Sequence, residues 1–232
     1  QPMLTPDRLR AAPARWRALA ALVAGGLSAL AMPPFGLWPV LALTLPVLVF
    51  LIDATAGLPL RRALTASFLA GWLFGLGYFV AGLWWIGQAF LVQADAFLWL
   101  IPFAVLGLPA YLALYTGFGC VLARLLWTGG PGRILAFAAA LTLAETARGA
   151  WLTGFPWNDF GYALATDLRF AQAASVVGLT GLCLAALACL ASPAALFSPG
   201  GSPRTRPLPL ALAVLLNGGL WAGGQWRLGA SE

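Results

Sequence analysis

Apolar residues run through this chain in long blocks instead of alternating with polar ones. Seven blocks, bounded by Arg, Pro or Gly, lie near residues 16–32, 37–52, 63–90, 97–127, 134–152, 170–192 and 208–226. A helix that crosses a bilayer needs roughly 20 apolar residues, whereas a membrane-barrel strand changes character at every second residue. The pattern predicts an all-α fold, a polytopic transmembrane helix bundle of about seven spans. The second block is short and holds Pro39 and Pro46, so it is expected to be tilted, kinked or only partly inserted. The fourth is overlong and holds Pro102 and Pro109. Its first part, Leu98 to Gly107, is expected to lie along the interface or to re-enter under cover of protein.

Composition narrows the class. The 232 residues are 61% hydrophobic and 9% charged, with mean hydropathy +0.88, against about 45–50% and about 25% in soluble domains. Seven spans leave no room for a sizeable water-soluble domain. The net charge of +6 would raise the question of nucleic acid, but the basic residues are scattered between apolar blocks, and no nucleic-acid partner is expected. All 13 basic residues are Arg, with no Lys and no His, so the usual proton shuttle is missing. Short cytoplasmic connections accumulate Arg. With seven spans, ten of the 13 fall on one side and only Arg148, Arg169 and Arg227 on the other. The expected organisation is a cytoplasmic basic N-terminus over 1–15 and a transmembrane domain over 16–226. The trans side receives the loop 149–169 and the C-terminus. A start at Gln1 and a stop at Glu232 predict a fragment at both ends.

Candidate chemistry is sparse. Cys120, Cys183 and Cys189 sit inside apolar blocks without metal spacing and read as buried inert thiols. Arg124 lies one turn from Cys120, but no base accompanies it. Phosphate-loop and zinc-protease motifs are absent, so neither a cofactor nor a metal is expected. Asp53 and Asp95 read as solvated loop charges. Gly71 and Gly75 have the spacing that allows close helix approach in lipid. Most of the 11 Trp fall near block ends, where an interfacial belt accounts for them. Glu145 and Arg148 are three apart on one helix face and read as a structural ion pair, with the alternative that Arg148 holds a lipid phosphate. The most unusual stretch is Thr153-Gly154-Phe155-Pro156-Trp157-Asn158-Asp159-Phe160-Gly161-Tyr162. Its glycines permit special backbone geometry and Pro156 stiffens the turn between two aromatic side chains. The loop could be an interfacial anchor, or it could present a rigid aromatic surface to an acyl chain.

Several motifs in order, Met32-Pro33-Pro34-Phe35-Gly36, Gly82-Leu83-Trp84-Trp85-Ile86, Pro109-Ala110-Tyr111, Glu145-Thr146-Ala147-Arg148-Gly149, and Gly154-Phe155-Pro156-Trp157-Asn158 with Gly161-Tyr162, resemble those of bacterial apolipoprotein N-acyltransferases. Gln172 and Val177-Gly178-Leu179-Thr180-Gly181-Leu182 continue the likeness. The resemblance implies transfer of an acyl chain from a phospholipid to the lipidated N-terminal cysteine of apolipoproteins, on the periplasmic face of the bacterial inner membrane. It also implies a Glu-Lys-Cys triad in a nitrilase-like domain, which a chain without Lys cannot supply. Residues 227–232 would then be the start of that domain, and this chain alone would be inactive. The substrate-binding residues so implied are Gly154, Phe155, Pro156, Trp157, Gly161 and Tyr162, with Arg148 alongside. The other reading is a stand-alone, non-catalytic membrane anchor or partner of a lipid-processing enzyme.

Overall fold

Each apolar block becomes a helix that starts or stops where Pro, Gly or Arg interrupts it. The computed structural model describes residues 6–92, 94–152, 154–200 and 202–230, and every regular element among them is helical. Seven longer helices are α1 (Ala14–Ser28), α2 (Leu41–Asp53), α3 (Leu60–Leu83), α4 (Leu108–Leu125), α5 (Arg133–Ala150), α6 (Ala174–Ala191) and α7 (Leu208–Gly229). Pro13, Pro59 and Pro207 stand immediately before α1, α3 and α7. Pro109 sits in the first turn of α4, directly after a π-turn.

Among the described residues three helical stretches are long and apolar enough to cross a bilayer: Leu60–Leu91, Phe103–Leu125 and Ala174–Phe197. The other blocks are helical but differ in kind. Helix α5 carries Arg133, Glu145 and Arg148, and α7 is diluted by Asn217, Gln225 and glycines. The overlong fourth block is broken before α4 into short turns at Ala94–Phe97 and Leu98–Leu100 and a π-turn at Phe103–Gly107. The two prolines bracket that π-turn.

Packing arranges α1, α3, α4, α5, α6 and α2 as a closed ring in that order, with α7 outside against α6. Glycines set the α3 contact. A Cβ at Gly71 would lie 2.6 Å from Cys120 Sγ, and one at Gly75 would lie 2.8 Å from Thr116 Oγ1. Only the missing side chains let α3 approach α4 this closely.

Helix α2 is the enclosed element. Leu41, Leu45, Leu48 and Ile52 are fully buried, and most of its remaining side chains are buried too, with Leu43 the exposed exception, so protein surrounds most of the helix. Its C-terminal Asp53 departs from the solvated charge expected of it. Asp53 is 2% exposed, lies 3.1 Å from Arg133 Nε of α5 and accepts a bond from Trp127 Nε1 at 2.9 Å. Burial makes that pairing obligatory, because an isolated charge there would be prohibitively costly. Arg124 turns away from Cys120 and donates to Thr55 Oγ1 at 2.8 Å. These groups mark one end of the ring. The turn at Met32–Gly36, the end of α3 and the aromatic loop mark the opposite end.

Candidate functional site

Helix α5 delivers the site through its last turn. Arg148 is 1% exposed, and its Nη2 lies 2.5 Å from Glu145 Oε2. The guanidinium then reaches into the following loop. Nη1 donates to the Trp157 carbonyl at 2.8 Å and also to the Phe155 carbonyl. The Phe155 N–H returns a bond to the Arg148 carbonyl at 2.9 Å. The plane of the guanidinium rests over the Phe79 ring, 5.0 Å from its centroid. One side chain thus ties residues 155–157 to the helix they follow. Its bonds run to Glu145 and to the loop backbone.

The backbone of the loop is shaped to receive this clamp. Gly154 has φ +72°, and a Cβ there would run into the Gly149 carbonyl oxygen, so no other residue fits without moving the chain. Asn158 also has positive φ, at +57°, which Asn tolerates better than most residues. Its carbonyl accepts the buried Tyr78 hydroxyl at 2.9 Å. Tyr78 in turn stacks on Phe160, with centroids 4.8 Å apart and planes 12° from parallel. Asp159 Oδ1 accepts the Gly161 N–H at 2.7 Å and starts the short helix Gly161–Ala165. Burial pushes the Asp159 carboxyl above its ordinary range, partly offset by that N–H and by the Arg148 charge. Phe155 is half-buried, its ring 5.6 Å from that of Trp157. Trp157 remains 54% exposed and Tyr162 39% exposed.

Beside the clamped loop is an open cavity of about 490 Å³. Three separate segments wall it: Met32 and Pro33 from the turn after α1, Gly82 and Trp85 from the end of α3, and Pro156, Trp157, Asn158 and Tyr162 from the loop, with Ala165 and Thr166 below. Gly82 matters for a plain steric reason, since the Asn158 amide occupies the space a side chain there would need. The structure therefore brings together Pro156, Trp157 and Tyr162. Gly154 and Phe155 serve as loop backbone and packing behind them. Gly161 lies against Leu179 of α6. Thr153 is outside the described residues. Tyr78, Asn158 and Trp85 were not singled out as site residues from sequence. The signal for Tyr78 was present: a hydroxyl inside an apolar block must find a partner.

A helical ring with membrane-spanning helices and one clamped aromatic loop beside a cavity defines a polytopic membrane domain. Residues 24–192 match the family model described as the apolipoprotein N-acyltransferase N-terminal domain, and the chain belongs to the apolipoprotein N-acyltransferase family. It is 55% identical over 198 residues to the apolipoprotein N-acyltransferase of Rhodopseudomonas palustris, covering 85% of this chain and 37% of that protein. Against the protein of the same name from Bradyrhizobium diazoefficiens it is 55% identical over 202 residues, covering 86% and 37%. Against that of Allorhizobium ampelinum it is 46% identical over 223 residues, covering 94% and 42%. The chain spans about two-fifths of the length of these relatives.

Proposed function

We propose that this chain is the membrane portion of an apolipoprotein N-acyltransferase, a bacterial inner-membrane enzyme that moves an acyl chain from a phospholipid donor to the lipidated N-terminal cysteine of an apolipoprotein. In this reading about seven helices cross the membrane, the short α2 tilted, kinked or only partly inserted. Residues 1–15 are cytoplasmic, 16–226 form the membrane domain, the 149–169 loop faces the periplasm, and 227–232 lead into a periplasmic catalytic domain. The chain by itself is inactive, because a Glu-Lys-Cys triad needs a Lys and these residues contain none.

The observation that carries the reading is convergence. Three motifs far apart in sequence, Met32-Pro33, Gly82 to Trp85 and Pro156-Trp157-Asn158, wall one cavity at the end of the bundle where the loop lies. We assign Pro156, Trp157 and Tyr162 to the wall that lipid substrates slide along, with Gly154, Phe155 and Gly161 shaping it. Arg148, paired with Glu145, is a positioning residue that fixes the height of Trp157. The chemistry this membrane portion supplies is orientation: an exposed indole on a backbone held by a buried guanidinium offers acyl chains a rigid apolar surface, which lowers the entropic cost of presenting a lipid ester.

The test uses the full-length enzyme in membranes. Trp157→Ala should lower turnover with phospholipid donor while leaving the protein folded, and normal turnover would return the loop to interfacial anchoring. A reporter that works only in the cytoplasm, fused after α7, should be silent. Activity there would overturn the topology.

A further inference from the structure

A second concavity lies on the outer side of the ring, between α4 and α5, and is separate from the loop cavity. It is an open groove of about 340 Å³ with an almost wholly apolar lining. Its floor is made of small residues at helical spacing, Gly119 on α4 with Ala140, Ala144 and Ala147 on α5. Its walls are large and exposed: Phe118 is 63% exposed and Leu143 59%. A Cβ at Gly119 would press on Leu141 and Ala144, so the floor sits as low as helix packing allows.

The two ends of the groove differ. At the loop end, the Tyr111 and Tyr115 hydroxyls lie 3.2 Å apart in a mutual hydrogen bond, and Trp151 and Leu152 of the aromatic loop close the rim. Tyr115 lies one helical turn below Tyr111, and from there the groove descends to Leu122 with no further polar side chain. The 11 residues from Tyr111 to Leu122 rise about 16 Å, close to half of the roughly 30 Å hydrocarbon thickness of a bilayer. Tyr and Trp mark the headgroup level in membrane proteins. The groove is therefore one leaflet deep, polar at the interfacial end and apolar below. A packed helix from a second copy would instead call for an apolar surface running the full width of the membrane.

We infer that the α4–α5 groove is a lipid site that takes one acyl chain of a glycerophospholipid, with the Tyr111–Tyr115 pair at the level of its ester group. It rests on the reading that α4 crosses the bilayer, and not on any step of acyl transfer. Trp151 and Leu152 follow α5 directly, ahead of the residues 155–157 that Arg148 holds, so this loop borders two concavities. One is this apolar groove and the other is the more polar cavity beneath Trp157.

The test is photolabelling of the full-length protein in vesicles of phosphatidylethanolamine, doped with a phosphatidylethanolamine bearing a diazirine midway along one acyl chain. Peptides containing Phe118 and Leu143 should be labelled more strongly than the peptide containing Val214 and Leu215 on exposed α7. Ala144→Phe, which fills the floor, should abolish that enrichment, whereas Leu135→Phe on the exposed face of α5 should preserve it. Should Ala144→Phe not fold, Leu143→Ala removes a wall and should reduce labelling at Phe118. Equal labelling of groove and α7 peptides, or enrichment that survives both groove variants, overturns the site. Cross-links between two protein copies through Phe118 assign the groove to a dimer instead. Absence of label from every helix would refute the membrane-crossing reading and not the groove alone.

Discussion

Replacing Arg148 by Met tests the clamp most severely, because the substitution keeps most of the side-chain volume and removes every donor. Three acceptors lose their partner: the Glu145 carboxylate at 2.5 Å, the Trp157 carbonyl at 2.8 Å and the Phe155 carbonyl. Glu145 is 4% exposed. Breaking a buried pair from one side leaves an uncompensated charge and costs about 3–5 kcal/mol. Arg148→Met should therefore destabilise this portion of the full-length protein by about 3–5 kcal/mol and lower its apparent melting temperature. The double variant Glu145→Leu with Arg148→Met removes the stranded charge and should recover on the order of 2 kcal/mol or more of that loss, a coupling expected of contacting residues. The loop carbonyls stay unpaired in both, so neither variant should restore the position of Trp157, read as indole fluorescence or turnover. Additive melting losses in the double variant would refute the ion pair as the basis of the clamp, and unchanged turnover in Arg148→Met would refute its role in placing Trp157.

Gly154→Ala adds a Cβ at positive φ and against the Gly149 carbonyl. It should cost about 1–2 kcal/mol from the backbone conformation alone and displace the loop, visible as reduced turnover at normal expression. Asp159 has a folded-state carboxyl pushed above its ordinary range, so its contribution favours the fold at pH below the normal carboxylate range and is lost as pH rises through the elevated value. Asp159→Asn should flatten the fall in stability over that window, and an unchanged pH profile would refute the assignment. Asp53→Asn removes the charge partner of the fully buried Arg133 and should destabilise by about 3 kcal/mol or more, whereas Asp95→Asn on an exposed turn should be nearly silent in the same melt.

Periodicity carried the gross architecture, because helices that face lipid or one another are written in long apolar blocks that little else in a sequence imitates. The aromatic loop was legible for a related reason: Gly154, Pro156, Trp157 and Gly161 combine backbone licence with large exposed rings at a block end. The spacing of Glu145 and Arg148 exposed their pairing, since three residues along a helix is a contact. What the spacing could not carry was the second use of Arg148. Its loop acceptors are backbone carbonyls, and every residue has one. Asp53 was misjudged as solvated because its partner, Arg133, lies 80 positions onward, and charge next to Arg61 and Arg62 looks like a loop when only neighbours in sequence are visible. Met32 and Trp85 likewise acquire a place in the cavity only once the ring closes α1 and α3 against the loop.

The enclosure of α2 has a temporal consequence. Helix α2 is 13 residues long and ends in an acid whose counter-charge belongs to α5. At about 5–20 residues per second, Arg133 leaves the ribosome roughly 4–16 s after Asp53. For that interval a short apolar segment must wait without the walls that α5 and α6 later provide. The chain therefore cannot mature helix by helix in order of synthesis: α1 and α3 can associate early, with Gly25 of α1 against Phe74 and Gly77 of α3 against Leu22, while α2 is held provisionally until the second half arrives to seal it. Ribosome-stalled intermediates ending before Arg133 should leave α2 accessible to a protease or chaperone, and those extending past α6 should not.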